Sequence, residues 1–343
     1  MKCLKLYDKH DLRYEDTIIP QIDAQEVLVK VKSIGICRSD VHYFSHGEIG
    51  SLIIEDPIIP GHEFSGEVFE IGNKVKNIEA GDRVAIDPSV SCGVCEYCLK
   101  GHHNLCPYVK FCGTPPIQGA LSEFYVSHPS QLYKLPDSLN YEDGALLEPL
   151  GVALHAAKLS KIKPGNKIAI LGLGPIGLLL IQLIRSVYKN PVSGFDYLEN
   201  RISFSKRYDP ESSLVIHKND YKNQSEFLSY ESKFDIVFEA AGSEEAVDMA
   251  MFLSKPGGKV VLIGISPKEN IIINSSQYRR KGLTLIGVRR MNNTYDEAIS
   301  LVKNNKITFD GLVTHRFPLS MGASAFKLVE NYRDGVIKAV FNI

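Results

Sequence analysis

One stretch constrains this chain more than any other: Ile168-Ala169-Ile170-Leu171-Gly172-Leu173-Gly174-Pro175-Ile176-Gly177. An apolar run stops at a glycine, and the spacing G-x-G-x-x-G then opens a segment of helical composition. The first glycine permits the tight turn, and the second lets backbone approach a pyrophosphate. The third packs helix against strand. The helix start then offers free N–H groups to an anion. Asp196 ends the next apolar run, 22 positions after Gly174, where a carboxylate can bind the adenosine ribose hydroxyls. A plain glycine-rich turn is the bland alternative, and it explains neither the helix nor the aspartate. A carboxylate there repels a 2′-phosphate, so NAD is expected over NADP. Arg201, five residues on, is placed to stack on adenine.

The surrounding texture agrees. Strand-like runs at 167–171, 192–196, 214–216, 234–238, 259–264 and 283–288 alternate with helical ones at 176–188 and 244–253. This alternation predicts an α/β domain with a doubly wound parallel sheet. Residues 218–233 are polar and read as a surface helix or loop. Residues 1–150 instead carry short apolar runs punctuated by Gly, Pro, Asp and Asn, which predicts a β-rich domain. The expected division is 1–150, 151–286 and a terminal segment 287–343 that returns to the first domain. A chain of 343 residues accommodates two domains.

The charge balance, 39 Lys+Arg against 40 Asp+Glu, gives no footprint for nucleic acid or anionic lipid. No apolar run approaches the roughly 18 residues of a membrane span. The charged start, Met1 to Asp8, argues against a secretory signal, so a cytoplasmic protein is expected.

Four of the seven cysteines fall in Cys92-x2-Cys95-x2-Cys98-x7-Cys106. Four thiolates in one loop can close a tetrahedral Zn²⁺ site with no open position, which makes it structural. An iron–sulfur cluster competes, although the x7 gap does not match a ferredoxin run. Free buried thiols are the remaining alternative. A second set is dispersed: Cys37, His62, Glu63 and Glu148. Singly, Cys37 reads as core, His62 as polar surface and Glu148, before Pro149, as a helix-cap carboxylate. Combined with a nucleotide domain, they suggest a catalytic metal with an exchangeable position.

Gly61-His62-Glu63-x2-Gly66-x5-Gly72-x2-Val75, Gly81-Asp82-Arg83-Val84 and the cysteine lobe together resemble the zinc-dependent medium-chain alcohol dehydrogenases. Gly35-Ile36-Cys37-Arg38-Ser39-Asp40-Val41-His42-Tyr43, Phe111-Cys112-Gly113-Thr114-Pro115-Pro116 and Gly144-Ala145-Leu146-Leu147-Glu148-Pro149-Leu150 are similar to the polyol (sorbitol) dehydrogenase branch. The resemblance spans the chain. It implies a GroES-like catalytic domain and a Rossmann domain, with two Zn²⁺ per chain. Cys37, His62 and Glu63 would hold the catalytic ion, and Glu148 would bind the metal or its water. It implies a cofactor site including Gly172, Gly174, Ile176, Gly177, Asp196, Arg201, Ile263, Gly264, Ile265, Val288 and Arg290. Tyr43, Glu148 and Arg290 would meet substrate. On an extended segment, Arg289 and Arg290 would point to opposite faces. Arg38 stands where the branch often has Gly and could meet the cofactor pyrophosphate. Met291 stands where it often has Tyr.

The implied activity is reversible oxidation of a secondary hydroxyl in a polyol or sugar alcohol with NAD+. Ser39 would accept the proton and pass it through the nicotinamide ribose to His42 at the surface. A homo-oligomer, tetramer or dimer, is implied. L-threonine 3-dehydrogenase, sugar-phosphate dehydrogenase and aldose dehydrogenase activities are the neighbouring readings. A non-catalytic zinc- or nucleotide-binding protein is a reading of another class, and it predicts lost zinc ligands. None of them is lost.

Overall fold

The computed structural model describes residues 1–218 and 220–343. They form two compact units. One comprises Met1–Pro149, Tyr295–Lys303 and Phe309–Ile343, and the other Leu150–Thr294 and Asn304–Thr308.

The first unit is built on a seven-stranded mixed sheet. Its main path runs Leu132–Lys134, Arg83–Ile86, Glu63–Ile71, Val27–Gly35, Lys338–Asn342 and Val313–Phe317, with Phe124–Ser127 pairing to Val27–Gly35. The C-terminal strand Lys338–Asn342 lies antiparallel to Val27–Gly35 and parallel to Val313–Phe317. Val27–Gly35 is buried on both faces over most of its length, which explains its nearly continuous apolar run. Phe44, Phe64, Phe326 and Phe341 are fully buried in one core. Aromatic burial of this kind dominates the stability of a core. Among the described residues, the β-rich pattern that the sequence predicts is interrupted by the short helix Glu96–Leu99 and by two longer helices. One is Arg38–His46. The other is Tyr141–Ser160, which carries Pro149 in its interior. Glu148 is therefore a mid-helix residue and not a cap. A proline there has no N–H to give to the preceding turn, and the helix tolerates that loss within packed surroundings.

The second unit holds a six-stranded sheet, parallel throughout. Its order is Ser212–Val215, Val192–Asp196, Ile168–Leu171, Phe234–Glu239, Ser254–Leu262 and Thr284–Gly287. With the strands numbered in chain order, this is 3-2-1-4-5-6, so the strand order reverses beside Ile168–Leu171. Ile168, Ala169, Ile170 and Leu171 are all buried, as a parallel sheet covered on both faces requires. The helix after the glycines runs Pro175–Leu183 and ends in a π-turn, Ile184–Tyr188. The helix Glu244–Leu253 is capped by the Ser243 hydroxyl, which accepts from the Ala246 N–H.

Residues 218–233 are less superficial than their polarity suggests. Apart from Asn219, which lies outside the described residues, they include a short helix, Ser225–Leu228, and a 3₁₀ turn, Tyr221–Asn223. Phe227 is fully buried and packs edge-on to Phe195 and Tyr221, so one aromatic anchors a polar segment. In the terminal segment, residues 287–294 group with the second unit. Residues 304–308 do so as well, because the Gln182 amide exchanges two hydrogen bonds with the Thr308 backbone. Tyr295–Lys303 belongs to the first unit, where the buried Tyr295 hydroxyl donates to the Ile86 carbonyl at 2.7 Å.

Candidate active site

Cys37 follows the strand Val27–Gly35 and sits at the N-cap of Arg38–His46. His62 and Glu63 enter from the neighbouring strand Glu63–Ile71, whose antiparallel register sets Glu63 opposite Gly35. One ligand atom from each of Cys37, His62 and Glu63 lies within 4.8 Å of the others. A thiol, an imidazole and a carboxylate at that spacing can hold a four-coordinate Zn²⁺ and leave a position open. Glu148 does not join this group at that spacing. It is buried nearby, and its carboxyl is pushed up to about 7, chiefly by burial and further by the Glu63 charge, against the lowering influence of His62 and Lys338.

Two residues that the sequence reading passed over organise this cluster. Asp40 is 1% exposed. Its carboxylate accepts the Cys37 N–H at 3.1 Å and the Gly61 N–H at 3.0 Å. It also lies 3.4 Å from His62 Nδ1. Asp40 thus ties the segments that carry two ligands and fixes the face of the imidazole, the usual task of a carboxylate behind a metal-binding histidine. Burial opposes charging of His62, but Asp40 and Cys37 raise its pKa well above the ordinary value. The local signal for Asp40 was its place three residues after Cys37 at a helix start.

Lys338 is the second. It is buried, ion-paired to the Glu63 carboxylate, and donates to the Ile36 carbonyl at 3.1 Å. Burial would lower its pKa, and the Glu63 charge raises it instead. No local signal marks Lys338, because 275 residues separate it from Glu63.

Ser39, His42 and Tyr43 share the helix Arg38–His46. Ser39 is partly exposed, while His42 and Tyr43 are buried. The expectation of His42 at the surface is corrected: it is 7% exposed, and its ring lies 5.8 Å from that of His46, which is exposed. The reason is amphipathic geometry, since His42 faces the core side of the helix with Val41 and Phe44. The Arg38 guanidinium lies over the Tyr332 ring at 4.7 Å and donates to the Val329 and Glu330 carbonyls.

The four lobe cysteines also converge, with all four sulfurs within 4.8 Å of one another. Cys95 Sγ is 3.5 Å and Cys92 Sγ 4.0 Å from Cys98 Sγ. A tetrahedral zinc with Zn–S near 2.3 Å requires sulfurs about 3.8 Å apart. The Val94 and Cys95 N–H groups hold the Cys92 thiol down at about 6. The Cys98 N–H lowers Cys95, yet burial and the adjoining sulfurs push it up to about 11. Cys92 is thus prepared as a thiolate, and Cys95 resists charge beside it.

In the second unit, Gly172 has φ +91° and lies against the backbone of Ala240 and Ala241. Gly174 caps the helix without a side chain, so the first-turn N–H groups at Ile176 and Gly177 remain open to an outside acceptor. Asp196 accepts the Leu173 N–H at 2.7 Å and the Leu198 N–H at 2.8 Å, and Arg201 Nη1 lies 3.5 Å from it. The aspartate therefore shapes the glycine turn. Ile263 and Gly264 donate backbone N–H groups to the Glu239 carbonyl, and Val288 donates to that of Leu262. Arg290 lies past the strand end at Gly287 with φ 55°, so the alternation expected of an extended segment does not govern Arg289 and Arg290.

Among the described residues, no helix is long and apolar enough to cross a membrane. Residues 23–137 match the alcohol dehydrogenase GroES-like domain, and residues 175–304 the zinc-binding dehydrogenase domain. The chain is 32% identical over 340 residues to the sorbitol dehydrogenase of Bacillus subtilis, covering 99% of this chain and 96% of that one. It is 37% identical to the sorbitol dehydrogenase of Gallus gallus over 321 residues, 92% and 90% of the two chains. A short chain alcohol dehydrogenase from Escherichia coli, solved with NADH, superposes with a TM-score of 0.90 at 27% identity, covering 100% and 99%. With both family domains in order and relatives above 30% identity over nearly the whole chain, this chain belongs to the zinc-dependent medium-chain alcohol dehydrogenases, in the polyol dehydrogenase branch.

Proposed function

We propose that the protein reversibly oxidises a secondary hydroxyl of a polyol or sugar alcohol with NAD+. The observation that carries this reading is the convergence of Cys37, His62 and Glu63 within 4.8 Å on a scaffold held by Asp40. Zinc at that cluster supplies a Lewis acid that lowers the pKa of a substrate hydroxyl, and NAD+ supplies the hydride acceptor. Cys37, His62 and Glu63 hold the ion, and Glu148 binds it or its water. Glu63 also satisfies the buried Lys338 ammonium, which sets how far its carboxylate is free to act as a ligand. Ser39 takes the hydroxyl proton, His42 receives it one helical turn on, and the exposed His46 delivers it to solvent. Tyr43, Glu148 and Arg290 bind the remaining hydroxyls of the substrate.

Gly172, Gly174, Ile176, Gly177, Asp196 and Arg201 bind the adenosine and pyrophosphate half of the cofactor. Ile263, Gly264, Ile265 and Val288 line the other half with Arg290. Cys92, Cys95, Cys98 and Cys106 hold the structural zinc. The relatives' sorbitol activity supports the substrate class. The same reading takes the enzyme to be a cytoplasmic homo-oligomer, tetramer or dimer, which light scattering on the purified protein checks. Turnover of a panel of polyols, sugars, sugar phosphates and L-threonine with NAD+ and NADP+ tests the whole. Preference for L-threonine or a sugar phosphate over every polyol would overturn the substrate assignment.

A further inference from the structure

The second unit buries one acidic side chain that the proposed chemistry leaves unused. Glu239 ends the strand Phe234–Glu239 and is 1% exposed. Its Oε1 accepts the Ala241 and Gly242 N–H groups, both at 2.7 Å, and the Gly264 N–H, which donates to the Glu239 main-chain carbonyl at 3.0 Å, also favours the charged carboxylate. Among the described residues, no lysine, arginine or histidine pairs with it. Burial pushes its pKa up, while three backbone donors favour the charged form. Its partners are donors only, and N–H groups aimed at a carboxyl favour its charged form.

Its place in the fold is specific. The register sets Glu239 beside Leu171 on one side and Leu262 on the other. The loops that follow those three strands meet there backbone to backbone. A side chain at Gly172 would run into Ala240, and one at Gly264 would run into Gly242. In a sheet of this order, a dinucleotide crosses at the reversal of strand order, beyond the carboxyl ends of the strands. Asp196 fixes the adenosine side. The other half of the cofactor must then lie over the loops that Glu239 ties together.

Taking the dinucleotide reading above as given, we infer that Glu239 is a positioning residue for the nicotinamide half, and that its unpaired buried charge contributes to binding of the cationic NAD+ and not to binding of the neutral NADH. The carboxylate acts in two ways. Its bonds to the Ala241 and Gly242 N–H groups fix the loop that packs against Gly264. Its charge, poorly screened in the interior, attracts the one form of the ring that carries a positive charge. A purely structural carboxylate would affect both forms alike.

The test uses the full-length zinc-loaded enzyme and measures Kd for NAD+ and for NADH by calorimetry and NADH fluorescence. Glu239→Gln keeps the shape and removes the charge. The expected result is about a tenfold rise in Kd for NAD+ with no more than about a threefold rise for NADH. Glu239→Asp keeps the charge on a shorter arm. It is expected to weaken both cofactors while preserving their ratio, and this variant decides the matter if the glutamine protein fails to fold. Equal weakening in the glutamine variant, or a collapsed ratio in the aspartate variant, overturns the inference. Failure of the unmodified enzyme to bind NADH removes the dinucleotide reading and this inference with it, whereas binding with an unchanged ratio in Glu239→Gln removes this inference alone.

Discussion

Asp40→Asn probes the support of the metal cluster without changing a ligand. The side chain keeps its size, and one oxygen can still accept from Gly61 or from Cys37, but not from both. The amide nitrogen then faces an N–H that the carboxylate had accepted, at about 3 Å. The carboxylate charge near His62 Nδ1 is also lost. A hydrogen bond to a charged group contributes roughly 1.5–3 kcal/mol, and a buried donor left without an acceptor costs a similar amount. If most of that difference falls on the metal-bound state, zinc affinity drops roughly tenfold to a hundredfold, the range seen for carboxylates behind metal-binding histidines. The assay is zinc competition against a chromophoric chelator, with the melting temperature of the metal-free protein as a control. The expected outcome is a large loss of affinity at one site per chain with a small change in the metal-free melting temperature. Unchanged zinc affinity accompanied by a large drop in that temperature would refute the argument, because Asp40 would then be a fold-stabilising residue only.

Cys95→Ser is expected to lower the zinc content from two ions per chain to one and to reduce thermal stability, while Cys37→Ser removes the other ion and abolishes turnover with the fold kept; elemental analysis with circular dichroism separates the two. Asp196→Ala is expected to weaken NAD+ binding and to narrow the preference over NADP+, since it removes both the ribose acceptor and the bond that shapes the Leu173 turn; a wild-type preference for NADP+ would contradict this. Arg290→Ala is expected to reduce kcat/KM on a polyol by roughly tenfold to a hundredfold and to affect a simple secondary alcohol far less. An equal loss on both, or a larger polyol-specific loss in Arg289→Ala, would reject Arg290 as the substrate residue.

The dinucleotide turn and the cysteine lobe were legible in the sequence because both are local devices. Glycines at fixed offsets, a helix start and an aspartate one strand later follow from the geometry of a single strand–helix–strand unit. The four cysteines lie within fifteen positions, so chain length alone keeps their sulfurs close. The helix Glu244–Leu253 was legible for the same reason, as its signal lies within one contiguous run. Reading failed where a residue's setting depends on distant partners. Glu148 looked like a cap beside a proline, and the helix Tyr141–Ser160 instead runs straight through Pro149. The segment 218–233 looked superficial, and Phe227 pins it into an aromatic core.

By itself, the sequence determined which chemistry was possible: the ligand types, the phosphate turn and the pattern of two domains. Only tertiary structure decided which side chains meet. Antiparallel pairing of Val27–Gly35 with Glu63–Ile71 brings Cys37 to His62 and Glu63. A C-terminal strand inserted in the same sheet delivers Lys338 to Glu63 across 275 residues. The loop that follows its own strand turns two N–H donors onto the Glu239 carboxylate. The physical reason is that burial, more than position in the chain, sets how strongly a charge interacts. A buried charge acts through partners chosen by sheet register, and register is fixed by the collective hydrophobic pattern of many strands and not by any short run of residues.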